Sequence, residues 1–275
     1  MEEIMKKIGF IGIGNMGGAI LAGYASSGKA EGKELMAFDM DKALCERTAA
    51  DIQGLVICES GRALCETADI VILGVKPQVI ESVLREIKEA YKADKTVISM
   101  AAGIDIGLIE RYLGRDAKII RIMPNTPAKV GEGMIAMCRN GNVDDVLFDE
   151  ATEIFSGIGR AEHVEESLID CVIGVSGSSP AYTYMYIEAL ISAAVENGMD
   201  EEKARVFAAQ SVLGAAKMVL ESDESVEQLR INVCSPNGTT IEAVNKLFAN
   251  GFMDDVKEGF QAAVDRSIEM GKEKR

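Results

Sequence analysis

The sequence has one histidine, no tryptophan and few basic residues, and these shortages limit what the protein can do. Its 29 Lys and Arg residues stand against 44 Asp and Glu residues, a formal net charge of -15. Such a chain is repelled by nucleic-acid phosphates and anionic membranes, so we expect neither as a partner. His163 alone would have to serve a Ser–His triad or a zinc site, so we interpret it as a strand-end residue and expect no metal.

Long hydrophobic runs and paired cysteines are also missing. No apolar run approaches the ~18 residues of a membrane span. The six cysteines are scattered without a CxxC pair, and the start of the chain lacks the layout of a signal peptide. We therefore expect reduced thiols in a cytoplasmic protein.

Residues 1–163 alternate short β-rich runs with helical stretches, which predicts a doubly wound α/β sheet of the Rossmann type. Several runs are continuously apolar, as in parallel strands buried on both faces. A helix is predicted over Pro77–Tyr91, with Pro77 in its first turn. The predicted strands are Lys7–Ile13, Leu35–Asp39, Leu55–Cys58, Ile70–Val75, Thr96–Met100, Lys118–Met123, Met134–Arg139 and Ala161–Val164.

Residues 164–275 read as an all-α domain. A helix is predicted over Ala181–Asn197 with Gly198 as its C-cap, and Asp200 caps a second helix that runs to about Glu221. The stretch Val206–Leu220 is apolar or small on nearly every side, as in helices buried all round. One small helical domain cannot bury several such helices, so this half is predicted to pack against a second subunit.

A glycine-rich loop, Gly12-Ile13-Gly14-Asn15-Met16-Gly17, follows the first strand and opens a helix. This context is typical of a dinucleotide site. Gly12 permits the tight turn, Gly14 lets the backbone approach the pyrophosphate, and Gly17 lets helix and strand pack closely. Free N–H groups near Asn15 and Met16 would face the phosphates.

Asp39 ends the second predicted strand, where a carboxylate accepts hydrogen bonds from the adenosine ribose and repels a 2′-phosphate. Taken alone it favours NAD over NADP; the alternative is that it caps the next helix. Other strand ends should meet at the same crevice, and Lys76 among them either contacts the cofactor or is solvated. These further candidates for cofactor binding are Val75, Lys76, Pro77, Ala101, Ala102 and Gly103.

Two runs in the second half place hydroxyls and backbone N–H groups before a helix, which suits a small carboxylate. One run is Ser176-Gly177-Ser178-Ser179-Pro180-Ala181-Tyr182, and the other is Cys234-Ser235-Pro236-Asn237-Gly238-Thr239-Thr240-Ile241. The alternative is that both runs are simple helix caps. A cap accounts for one hydroxyl in each run and not for the remaining ones.

With these two runs, the sequence closely resembles the pyrroline-5-carboxylate reductases over nearly its whole length. The resemblance includes Gly9–Met16, Val75–Gln78, Arg121–Pro127, Gly214–Met218 and both runs above. It implies reduction of the cyclic imine Δ1-pyrroline-5-carboxylate to L-proline with NADPH or NADH, the last step of proline biosynthesis. It also implies an N-terminal Rossmann domain and a C-terminal helical domain that dimerises, with dimers often assembled as rings of five.

The resemblance also implies roles for individual residues. Ser235, Asn237, Gly238, Thr239 and Thr240 would hold the substrate carboxylate, with the N–H groups of Gly238 and Thr239 as donors. Thr240 would hydrogen-bond near the imine nitrogen as the catalytic residue. The remaining implied contacts are Ser176, Gly177 and Ser178 at the other substrate wall, and Pro124 and Asn125 near the nicotinamide.

Three positions depart from the family pattern. Ser179 replaces a glycine and adds a Cβ at the pocket wall, whereas Asn237 replaces a glycine with a residue that tolerates left-handed backbone. Asp39 stands where NADPH-preferring members usually carry Ser, Asn or Arg, which leaves the preferred cofactor open.

The sequence argues against one alternative function and leaves two others open. A β-hydroxyacid dehydrogenase would need a lysine in the helix after Ala181, and none occurs before Asn197. A reductase of another cyclic imine and a dinucleotide sensor without turnover stay open.

Overall fold

A computed structural model describes residues 5–272, which form two compact units. The first unit comprises the described residues up to Gly177 together with those from Ala263 onward, and the second unit comprises Ser178–Ala262.

The first unit contains an eight-stranded sheet in the order β3-β2-β1-β4-β5-β6-β7-β8. The order reverses beside β1, as in doubly wound folds. All eight predicted strands are present. They are β1 (Lys6–Ile11), β2 (Lys33–Phe38), β3 (Val56–Ile57), β4 (Ile70–Leu73), β5 (Thr96–Ser99), β6 (Lys118–Met123), β7 (Gly133–Arg139) and β8 (Gly159–His163).

One pair of strands differs from the predicted parallel arrangement, because β7 runs antiparallel to β6. Only residues 124–132 join the two strands, and they include a short 3-10 helix, Thr126–Val130. A parallel neighbour needs a crossover of about a dozen residues or more, so this connection forces the chain to turn back. His163 ends β8, as predicted, with its ring 5.3 Å from that of Phe148.

Helices cover both faces of this sheet. They are α1 (Asn15–Ser26), α2 (Lys42–Asp51), α3 (Gly61–Thr67), α4 (Ile80–Ile87), α5 (Ile106–Leu113), α6 (Asp145–Phe155) and α7 (Ile169–Val172). The predicted helix Pro77–Tyr91 is shorter at both ends. Pro77 lies in a turn closed by the Val79 N–H on the Lys76 carbonyl (3.0 Å), so it precedes the helix instead of starting it.

The core consists of two apolar clusters that use alternate residues of the same strands. Ile8, Ile72 and Ile98 belong to one cluster, whereas Val71 and Val97 belong to the other. Every residue of β4 and β5 is buried. The continuously apolar runs of the sequence therefore do mark strands that are covered on both faces.

The compact units divide at Gly177, and the domain boundary after residue 163 stays a prediction. The intervening residues pack on the Rossmann sheet: Ile169 is fully buried in its core, and Arg121 of β6 pairs with Glu166 at 3.1 Å. The pattern of residues 164–177 is helical, but a helical pattern does not say against which neighbour a segment packs.

The second unit is helical. It contains α8 (Ser179–Glu196), α9 (Glu201–Glu221), α10 (Val226–Val233), α11 (Thr239–Ala249) and the first part of α12 (Phe252–Lys272). Asp200 caps α9 by accepting from the Lys203 N–H, and Gly198 follows α8 with φ +91°, both as predicted. No helix within residues 5–272 is long and apolar enough to cross a membrane.

Candidate active site

The carboxyl ends of β1 and β4 lie side by side at the point where the strand order reverses. Ile11 of β1 is paired with Leu73 of β4, and Gly12 and Gly74 follow directly. In open α/β sheets, ligands bind beyond the strand ends at this position.

The three glycines of the α1 loop have different surroundings. Gly12 has φ +91°, and a Cβ there would lie 2.7 Å from Val75 Cγ1. A Cβ on Gly17 would overlap the Gly12 carbonyl oxygen, whereas a Cβ on Gly14 would meet nothing within 4 Å. The tight turn, the close helix–strand packing and the open space beside Gly14 all fit the roles predicted for a bound dinucleotide.

The start of α1 has no side-chain cap, since Gly14 occupies the N-cap position. By contrast, α2, α3, α5, α6, α9 and α10 each begin with an Asp or Ser side chain that accepts a backbone N–H. The first N–H groups of a helix have no intrahelical partner. Those of Asn15 and Met16 are therefore available to phosphate oxygens, with the helix dipole behind them.

Asp39 holds the glycine loop. One carboxylate oxygen accepts from the Ile13 N–H at 2.9 Å and the other from the Asp41 N–H at 3.0 Å. Asp39 does not cap α2; Asp41 does, by accepting from the Leu44 N–H. A carboxylate has about four lone-pair positions, so Asp39 keeps acceptor capacity for ribose hydroxyls.

The other predicted cofactor contacts leave the sheet at the same edge but differ in exposure. Val75 is half-buried against Gly12, and the Lys76 side chain is exposed. Ala101 is buried in the core, with Ala102 partly buried beside it. Gly103 packs against the C-terminal helix, where a Cβ would lie 3.2 Å from that of Met270.

The segment before α8 differs from the predicted loop. Residues Ile173–Gly177 form a π-helix that continues α7, and the Ser176 hydroxyl donates to the Val172 carbonyl at 3.1 Å. Asn125, at the end of β6, donates its amide N–H to the Ser176 carbonyl at 3.0 Å. Hydroxyl-rich sequence before a helix suggests a cap, but Ser178 makes no side-chain cap bond to α8.

The loop before α11 contains one unusual backbone position and one N–H group that is already bonded. Asn237 has φ +59°, the only positive φ outside glycine among residues 5–272, which agrees with its tolerance of that region. The Gly238 N–H donates to the Ser235 carbonyl at 3.0 Å, so it is not the free donor predicted from the sequence. Gly238 is an N-cap without a side-chain cap bond, which leaves the N–H groups of Thr239 and Thr240 for an anion.

Comparison with known proteins identifies relatives of this chain. One family model, "Pyrroline-5-carboxylate reductase dimerisation", matches residues 166–270, and another, "NADP oxidoreductase coenzyme F420-dependent", matches residues 7–103. The pyrroline-5-carboxylate reductase of Escherichia coli (strain K12) is 44% identical over 269 residues, which cover 97% of this chain and 99% of that protein.

The chain belongs to the pyrroline-5-carboxylate reductase family.

Solved structures of this family superpose on nearly the whole chain. The reductase of Plasmodium falciparum, solved with NADP bound, has a TM-score of 0.86 and 35% identity, over 97% of this chain and 98% of that one. The reductase of Coxiella burnetii has a TM-score of 0.89 and 34% identity, with the same coverage. The fold is therefore a Rossmann-like sheet followed by the family's helical dimerisation region.

The sequence also points to Gly74, which directly follows the buried strand β4, as a small residue at the strand-end crevice. A Cβ on Gly74 would overlap the Gly12 carbonyl oxygen, so the end of β4 must be a glycine for the α1 loop to close. Within residues 5–272, no cluster of His, Cys, Asp and Glu could hold a metal ion, and all six cysteines are free.

Proposed function

We propose that this protein catalyses the NAD(P)H-dependent reduction of Δ1-pyrroline-5-carboxylate to L-proline, the last step of proline biosynthesis. The observation that carries the proposal is the full-length match to pyrroline-5-carboxylate reductases. The uncapped N-termini of α1 and α11 support it, because they provide separate anion sites for a cofactor pyrophosphate and for a substrate carboxylate.

The α1 loop would hold the cofactor. Gly12, Gly14, Asn15, Met16 and Gly17 surround the pyrophosphate in this proposal. The nicotinamide end would lie along Val75, Lys76, Pro77, Ala101, Ala102, Gly103, Pro124 and Asn125. NAD(P)H, when bound, supplies a hydride to the imine carbon of the substrate.

The α11 loop would hold the substrate. The N–H groups of Thr239 and Thr240 bind the carboxylate, with Ser235, Asn237 and Gly238 shaping the loop. Ser176, Gly177 and Ser178 are proposed as further substrate contacts. Reduction of an imine that arrives protonated needs positioning more than strong acid–base groups, so a chain with one histidine is adequate.

Thr240 is proposed to orient the imine nitrogen by a hydrogen bond from its hydroxyl. Thr240→Ala should lower kcat by about tenfold or more, below the ~10²–10⁴ of positioned proton donors. Ser211→Ala is the control, because the Ser211 hydroxyl bonds within its own helix, to the Phe207 carbonyl. Wild-type kinetics for Thr240→Ala would exclude the hydroxyl from the mechanism.

NADH is proposed as at least as good a cofactor as NADPH. The Asp39 carboxylate is fixed beside the α1 loop by two backbone N–H groups, and its charge opposes a 2′-phosphate. The test is kcat/KM with each cofactor, followed by absorbance loss at the nicotinamide band. Asp39→Ser should shift the ratio toward NADPH by about tenfold, and a strong NADPH preference of the wild type would contradict this role.

The same assay tests the proposed function itself. Absence of turnover with pyrroline-5-carboxylate and either cofactor, in protein that is folded, would refute it and favour a dinucleotide sensor. The functional assembly is proposed to be a homodimer, with rings of five dimers as the larger state. The cytoplasmic location stays a prediction.

A further inference from the structure

Asn125 is bonded at both ends of its side-chain amide. Its Oδ1 accepts from the Met134 N–H at 2.8 Å, and its Nδ2 donates to the Ser176 carbonyl at 3.0 Å. Because one partner is a donor and the other an acceptor, the amide orientation is determined by its surroundings. The residue is only 8% exposed.

These two bonds join three segments of the first unit. Asn125 follows β6 directly after Pro124, Met134 belongs to β7, and Ser176 lies in the π-helix. The side chain does not cap the following 3-10 helix, although Asn125 holds its N-cap position. Short π-helical segments are rare and often occur at functional sites.

We propose that Asn125 is a positioning residue that fixes the Ser176–Gly177 substrate wall relative to Pro124 at the nicotinamide wall. This inference rests on the proposed function and gives Asn125, whose side-chain amide is bonded at both ends, a positioning role beside the nicotinamide. Both walls lie in one compact unit, so a single side chain can set their separation. A displacement of about 1 Å at a reacting centre lowers turnover by about 10²-fold.

Asn125→Asp is the sharpest variant. It keeps the size of the side chain and the bond from the Met134 N–H, but it removes the donor to Ser176. The ionised carboxylate then faces the Ser176 carbonyl, which repels it. Should this variant fail to fold, Asn125→Ser removes both long-range bonds without adding charge, and it is compared with wild type in hydrogen–deuterium exchange and kinetics.

Asn140 provides a matched control at the opposite end of β6. Its Oδ1 accepts from the Ile119 N–H at 3.2 Å, and its Nδ2 donates to the Ala117 carbonyl at 2.8 Å and to Glu110 at 2.9 Å. Asn140→Asp therefore causes the same chemical change, and a stability loss, away from both proposed walls.

The first readout is hydrogen–deuterium exchange of the protein without ligands. Asn125→Asp should raise exchange in residues 173–177, whereas Asn140→Asp should not. The second readout is steady-state kinetics, in which Asn125→Asp should lower kcat/KM for pyrroline-5-carboxylate by about 10- to 100-fold. A larger deuterium isotope effect with cofactor labelled at the transferred position should accompany this loss, because hydride transfer becomes slower.

A pH profile distinguishes a positioning role of Asn125 from a general loss of stability. The carboxyl group introduced by Asn125→Asp can donate to the Ser176 carbonyl when it is protonated. The activity of this variant relative to wild type should therefore recover as the pH falls toward the pKa of that carboxyl. Unchanged exchange at 173–177 with wild-type kinetics would overturn the proposal. The proposal would also be overturned if Asn125→Asp and Asn140→Asp lost activity with the same isotope effect and the same pH dependence. An inactive wild type would instead refute the proposed function, while the exchange experiment would still test the bond.

Discussion

Gly17 and Gly14 belong to the same loop, but a methyl group at each should have a different effect. In Gly17→Ala, the new Cβ overlaps the Gly12 carbonyl oxygen and lies 3.5 Å from Gly74 Cα. Backbone must move, so we expect a loss of about 1–3 kcal/mol in unfolding free energy together with weaker cofactor binding. Urea denaturation and fluorescence titration with NADH or NADPH measure both effects.

Gly14→Ala is the matched control for that substitution. Its Cβ meets no protein atom within 4 Å, and Gly14 has φ -64°, outside the left-handed region that favours glycine. Stability should change by less than about 1 kcal/mol, while cofactor affinity falls because the methyl group enters the space proposed for the pyrophosphate. Equal affinity losses without any stability difference would show that the two glycines do not have separate roles.

Buried thiols should make stability depend on alkaline pH. Burial raises the pKa of Cys138 to about 12 and of Cys65 to about 11, from 9.0. The folded state therefore keeps protons that the unfolded state loses, so this stability is complete below pH 9 and declines as the pH rises toward 11–12. Each thiol contributes up to about 1.4 kcal/mol per pH unit in that window.

The slope of unfolding free energy against pH from 7 to 10.5 tests this effect. Cys138→Ala should flatten the slope above pH 9, whereas Cys171→Ala, at an exposed position, should leave it unchanged. A wild-type slope in Cys138→Ala would contradict the assignment.

At the residue scale, the sequence predicts contacts that depend on local chain geometry. Gly12 and Asn237 have positive φ as their residue types indicate. The partners of Asn125 could not be predicted, because Met134 and Ser176 are brought to it by the sheet and by the π-helix. The prediction that Gly238 offers a free N–H group was wrong, because a turn within its own loop bonds this N–H to the Ser235 carbonyl.

At the scale of secondary-structure elements, an ion pair joins β6 to the segment before α7. The sequence pattern does not predict this pair. Arg121 is buried, and its guanidinium lies 3.1 Å from Glu166, whose same oxygen accepts the Ile106 N–H at the start of α5. Arg121 Nε is buried without a hydrogen-bond partner among residues 5–272, so Glu166 provides most of the compensation for this charge.

Glu166→Gln should therefore destabilise the protein. Loss of one partner from a buried pair costs about 3–5 kcal/mol, and we expect about 1–3 kcal/mol here because the Glu166 side chain is 35% exposed. The double variant with Arg121→Met should recover part of the loss, since no buried charge remains unpaired. A double-mutant cycle by urea denaturation measures the coupling, and additive losses would contradict it.

Element positions were predictable where burial produces a pattern. The apolar runs of β4 and β5 identify strands covered on both faces. The π-helix at Ile173–Gly177 was not predictable, since it has no repeating pattern of its own. The direction of β7 could have been predicted from the short connection 124–132, which leaves no room for a crossover to a parallel strand. The predicted start of α4 was wrong, because a proline suits a turn as well as the first turn of a helix.

At the scale of the whole molecule, a single chain leaves many apolar side chains of the second unit exposed to solvent. Helix α9 buries only Ala204 and Ala208, and α8 buries no residue. Large side chains on α9, including Val206, Phe207 and Leu213, are more than half exposed. Soluble monomers rarely expose such apolar surface, and the family match assigns residues 166–270 to dimerisation.

Phe207→Asp tests whether this surface forms the subunit interface. In a two-fold dimer each substitution acts twice, and each buried Phe contributes about 1.5–3 kcal/mol, so association should weaken by 10²-fold or more, a rough estimate. Sedimentation at micromolar concentration should show dimers or larger assemblies for the wild type and dissociation for this variant. Val146→Asp is the control, because Val146 is 80% exposed on α6 of the first unit and should leave assembly unchanged. A monomeric wild type, or a Phe207→Asp protein that still assembles, would mean that α9 does not form the interface.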